Sequence, residues 1–124
     1  DADGMVAPGL RLERSSGHTR GHCVVVFEGD LEIAHPDAAA WTVKPHLAVF
    51  AGDVCPMRHN LRMVFQTSYD TYPLDTRRWK RAWLPRLARE RGLLLFDHDP
   101  DCFGAFIRED AREEFVPEYL LTAS

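Results

Sequence analysis

The hexapeptide Gly17-His18-Thr19-Arg20-Gly21-His22 stands directly before an apolar run, Cys23-Val24-Val25-Val26-Phe27, and this junction constrains the chain more than any other stretch. Glycine reaches positive φ without steric cost, so Gly17 and Gly21 suit a sharply bent loop that feeds a β-strand. Such a loop holds an imidazole at a strand end with little freedom, which is what a metal ligand needs. A loop histidine can equally be solvated or bonded to a nearby carbonyl, so the hexapeptide alone leaves both readings open.

Two further segments repeat the plan. The run Leu47-Ala48-Val49-Phe50 leads into Ala51-Gly52-Asp53, and Leu93-Leu94-Leu95-Phe96 leads into Asp97-His98-Asp99-Pro100. Three strand-like runs thus each deliver His or Asp at one end. A metal centre gathered from distant positions needs that supply.

In this order, Gly-His-Thr-x-Gly-His, then Gly-Asp, then a lone His resembles the second half of the metallo-β-lactamase-fold hydrolases, over about Val6 to Ile107. The family's other signature, His-x-His-x-Asp-His, belongs to the first half and is absent from these residues. The resemblance therefore implies an α+β fold that is half of an αββα sandwich, with a mostly antiparallel or mixed sheet and one long covering helix. It also implies an N-terminal half of the same protein as partner. Residues 1–124 form a single domain on this reading, as the length suggests by itself.

Carried over position by position, the resemblance makes His18 a ligand of one metal, Asp53 a bridge and His98 a ligand of the second. Two zinc ions are implied, with iron or manganese as possible replacements. Imidazole and carboxylate are ordinary zinc ligands, and a metal lowers the pKa of its water to about 7, making a hydroxide nucleophile at neutral pH. The implied function is hydrolysis of a lactone, ester or organophosphate-like small substrate. A glyoxalase-II-like thioesterase is the alternative enzyme, and a metal-free scaffold or interaction domain the alternative of another class. His22 is not a usual ligand of the family and is expected to support the loop. Asp97 and Asp99 flank His98 and either orient it or are solvated; His59 falls in an irregular segment, Pro56 to Tyr72, that could line a substrate pocket.

A net charge of −4 excludes a general nucleic-acid binder, and no run approaches the ~20 apolar residues of a membrane span. Cys23, Cys55 and Cys102 lack Cys-x-x-Cys spacing, so reduced thiols and a cytoplasmic location are expected.

Alternation predicts strands over Leu10–Arg14, His22–Phe27 and Leu31–Ala34, with a hairpin-type turn at Glu28-Gly29-Asp30. The stretch His35 to Pro45 shows no period and reads as an insertion. Trp79, Trp83 and Leu87 at i, i+4 and i+8 predict a helix from Asp75 or Thr76 to Arg91, capped by Asp75 and ended by Gly92. Pro85 should kink it near Arg81, and its basic residues, Lys80 included, read as a solvated outer face. Strands follow at Leu93–Phe96 and Phe103–Ile107, and the tail to Ser124 is an edge strand or closing turn. Without its second sheet, the half-sandwich should expose Val24, Val26 and Val49 and associate, as a homo-oligomer or with the missing half.

Overall fold

Nine strands and one long helix follow one another in the computed structural model, which describes residues 4–65 and 67–123. They are β1 (Gly4–Ala7), β2 (Leu10–Arg14), β3 (Cys23–Glu28), β4 (Ile33–Ala34), β5 (Thr42–Val43), β6 (Leu47–Phe50), α1 (Pro73–Glu90), β7 (Leu93–Leu95), β8 (Cys102–Glu109) and β9 (Phe115–Thr122). Seven strands form one mixed sheet in the order β1-β2-β3-β6-β7-β8-β9, and β4 pairs with β5 apart from it. Neighbours in the large sheet are antiparallel except β6 and β7, which are parallel. Parallel neighbours need a crossover, and α1 lies in it.

The helix covers one face. Thr76, Lys80, Trp83, Leu84 and Leu87, with Trp79 beside them, recur at three- and four-residue spacing and are buried. The core they join includes Val24, Val26, Leu47, Val49, Leu94 and Ile107. Val24, Val26 and Val49 are therefore buried, contrary to the expectation of an exposed face. Side chains alternate along a strand, and these three point to the helix side. The other side carries the cross-strand row Val25, Phe50 and Leu95, of which Phe50 is 36% exposed.

Part of that second face is covered by the expected Leu31–Ala34 strand together with the stretch read as an insertion. Leu31, Ile33, Trp41 and Val43 pack over Ala48, Leu93 and Leu121. The Trp41 indole donates to the Thr122 carbonyl at 2.9 Å, and its ring meets His35 edge-on at 5.6 Å. The apparent lack of period is physical: β5 is two residues long, too short to show one. β1 was likewise illegible, since its four residues are all exposed at the sheet edge.

α1 begins at Pro73, where a missing N–H costs nothing, rather than at Asp75. Asp75 pairs instead with Arg78 at 2.7 Å. The left-handed residue that ends it is Arg91, with φ +53°; Gly92 is required for another reason, because a Cβ there would press into Leu87 and Leu47. The helix runs on through Pro85. Lys80 is no part of a solvated face: it is fully buried, and Nζ donates to the carbonyls of Arg62, at 3.1 Å, and Phe65. Burial pushes its pKa down. On the rim, Arg86 bonds Glu28 at 2.8 Å and lies 4.8 Å over the Trp83 ring, and with Arg11 it holds the Glu28 carboxyl below its ordinary value. Among the described residues, no helix is long and apolar enough to cross a membrane.

Candidate metal centre

The ends of β6 and β7 that point the same way carry Asp53 and His98 to one edge of the sheet. Asp53 sits in a short 3-10 turn, Gly52–Val54, and His98 in the β7–β8 loop. His98 is tied by its backbone N–H to the Pro56 carbonyl at 3.1 Å, and its Nε2 lies 3.2 Å from Asp53 Oδ1. The imidazole is 66% exposed.

His18 arrives from the loop before β3. Ser16 and Gly17 both have positive φ, +53° and +90°. The bend is stapled by the amides of Ser15 and Ser16, which donate to the His22 carbonyl at 3.0 and 3.1 Å. It is docked on the start of α1, where the Tyr72 amide donates to Gly17 O at 2.7 Å and the Thr71 amide to His18 O at 3.1 Å. A Cβ on Gly17 would strike Thr76. From this position His18 Nε2 lies 3.5 Å from Asp53 Oδ2. Each Asp53 oxygen thus faces a different imidazole.

His22 stands behind the centre. Its Nε2 accepts the Asp53 backbone N–H at 3.1 Å, and its Nδ1 lies 2.6 Å from Ser15 Oγ. Burial, aided by neighbouring His18, outweighs Asp53 and lowers its pKa. A neutral ring is required, because Nε2 can accept only when unprotonated. Gly52 leaves room for that ring: its φ is +55°, and a Cβ would lie 2.9 Å from His22 Nε2.

Of the remaining expected residues, Asp97 is at the centre and two are not. Asp97 Oδ2 is 3.4 Å from His98 Nε2, and one donor atom from each of Asp53, Asp97 and His98 lies within 4.8 Å of the others. Burial pushes the Asp97 carboxyl up; His98 opposes the shift and Asp53 adds to it. Asp99 turns away, accepting the amides of Arg58 at 3.1 Å and Asp101 at 3.0 Å, so it closes the loop rather than orienting His98. His59 is exposed and lines a depression with Arg62, Phe65 and Phe115. Cys55 is buried nearby, and burial pushes its thiol up to about 12.

One residue at the centre was missed. Asp70, its side chain 1% exposed, lies 3.3 Å from His18 Nδ1 through Oδ1. Its partner is far away in sequence and its own segment has no period, so only the Thr67-x-x-Asp70 spacing of a local turn could have drawn notice.

The donor set fits a divalent cation: two imidazoles and two carboxylates meet at one edge, and imidazole and carboxylate are the usual nitrogen and oxygen ligands of zinc. No family model matches this sequence, and no curated protein matches it. Solved structures do. A probable metal-dependent hydrolase from Staphylococcus aureus superposes with a TM-score of 0.75 at 22% identity, covering 98% of this chain and 38% of that one. The hydrolase AbOPH of the β-lactamase superfamily has a TM-score of 0.64 at 17% identity, over 94% of this chain and 36% of its own. AidC, a dizinc quorum-quenching lactonase solved in complex with a product, also has a TM-score of 0.64 at 17% identity, over 96% and 37%. The chain thus spans well under half of these proteins, and it shares the fold of the part of them that it covers.

Proposed function

We propose that this chain contributes one side of a dinuclear metal site in a hydrolase of small lactones, esters or organophosphate-like substrates, completed by an N-terminal half. The observation that carries the reading is the division of Asp53, whose Oδ2 faces His18 at 3.5 Å and whose Oδ1 faces His98 at 3.2 Å. A carboxylate with each oxygen turned to a different imidazole has the donor pattern of a bridge between two cations. The dizinc lactonase among the similar structures supports zinc and the lactone class. Iron and manganese accept the same nitrogen and oxygen donors.

Two such cations, when bound, supply an activated water and polarise the carbonyl or phosphoryl oxygen under attack. The chain's own residues do the holding. His22 fixes the Asp53 backbone, and the Pro56 carbonyl fixes the His98 loop. Three ligands, His18, Asp53 and His98, do not complete two coordination spheres, since a catalytic zinc normally takes three protein ligands of its own.

The test is metal analysis and hydrolysis assays on the chain alone and co-expressed with the segment encoded ahead of Asp1. Background rates alone, about two zinc ions per assembled molecule, and activity lost in Asp53→Ala are the expected results. Robust hydrolysis by the isolated chain, abolished by His18→Ala, would show that the whole catalytic site is here. An assembled molecule that binds no metal would leave the scaffold reading.

A further inference from the structure

We propose that Asp70 is the positioning residue of this centre: it keeps a hydrogen on His18 Nδ1 and so turns Nε2, the nitrogen left for a cation, toward Asp53. The inference goes beyond the ligand set and rests on the metal-site reading only for its second measurement.

Asp70 is a buried carboxylate whose bonds leave one solution for the His18 proton. Thr67 Oγ donates to Oδ1 at 2.8 Å and Thr76 Oγ donates to Oδ2 at 3.0 Å. His18 Nδ1 completes the set on Oδ1 at 3.3 Å. An ionised carboxylate only accepts, so Nδ1 must carry the hydrogen, and in the neutral ring Nε2 is then the bare nitrogen. That nitrogen is the one 3.5 Å from Asp53 Oδ2. Nε2 is therefore the ring nitrogen left to face Asp53 and any cation placed between them.

The carboxylate is itself fixed. Thr76 belongs to the first turn of α1 and is fully buried, so Asp70 is bolted to the helix that roofs the sheet. The same turn receives the His18 loop through the Gly17 and His18 carbonyls. Loop, carboxylate and helix start therefore form one block from which the His18 imidazole projects toward Asp53. A ligating histidine oriented through its other ring nitrogen gains basicity and loses rotational freedom, and removal of such a partner typically weakens metal binding about 10- to 100-fold.

The experiment uses the chain labelled with 15N-histidine. In long-range 1H–15N spectra at pH 7.5 without metal, His18 Nδ1 should carry a hydrogen. In Asp70→Asn the amide can present either its oxygen or its NH2 group to Nδ1, so the Nε2–H tautomer should appear while the backbone spectrum stays native. Zinc affinity, measured by chelator competition, should fall about 10- to 100-fold in the same variant. A purely structural Asp70 would leave the tautomer and the affinity of the folded variant unchanged, and that result overturns the proposal. So does a wild-type spectrum in which His18 Nδ1 carries no proton, a reading that stands even if Asp70→Asn fails to fold. A wild-type chain with the expected tautomer but no zinc uptake supports the Asp70–His18 coupling and removes the metal reading alone.

Discussion

Gly17 and Gly21 look equivalent in the hexapeptide, yet only one of them is conformationally required. Gly17 has φ +90° and would carry a Cβ into Thr76, whereas Gly21 has open space and is absent from the positive-φ residues. The second left-handed residue of the bend is Ser16, a position where sequence offers no warning. Gly17→Ala should therefore cost about 1–3 kcal/mol, the usual range for a residue forced into a sparsely populated backbone region. Gly21→Ala should stay within about 0.5 kcal/mol, as open surface positions do. Urea melts of the pair check this, and equal losses would show that the His18 loop is not docked on α1 as described. His18, Asp53 and His98 were legible as site candidates because each stands at one end of an apolar run, a signal local in sequence. Asp70 was not, because its role depends on a fold contact with His18.

At the scale of elements, the helix was readable for the reason that it is stable. Trp79, Trp83 and Leu87 lie on one stripe, and all three are buried. Trp83 also donates its indole N–H to Glu13 at 2.9 Å, tying α1 to β2. Trp83→Ala should destabilise by about 3–5 kcal/mol in a urea melt, and a loss under about 1 kcal/mol would place the stripe against solvent. Lys80 escaped the same logic because charge was read before position: it shares the inward stripe with Thr76 and Trp83, and its ammonium is accommodated by two carbonyls. Of the two-residue strands, β4 falls within the run expected at Leu31–Ala34, whereas β5 was unreadable for a different reason. Their pairing, Ile33 with Val43 and Ala34 with Thr42, is defined by partners and not by any pattern within either strand.

Across the whole molecule, the two faces of the large sheet have unequal fates. The helix seals one, while β4 and β5 leave Phe50 and Phe103 partly bare on the other, at 36% and 40% exposure. Apolar surface of this kind favours association. Sedimentation of the isolated chain should show concentration-dependent self-association that Phe50→Lys weakens, and a monomer at all concentrations would mean that the β4–β5 arm covers enough. The parallel pairing of β6 with β7 bears on the order in which the molecule is built. Asp53 and His98 become neighbours only after residues 51–92 have been looped back, a closure whose entropic cost grows with the logarithm of loop length. The antiparallel pairs β1–β2 and β8–β9 join strands adjacent in sequence and can form without waiting for it. On the proposed metal reading, a newly made chain that pairs its hairpins first has no assembled site until the crossover closes, so a cation would trap the finished crossover and would not guide the steps before it.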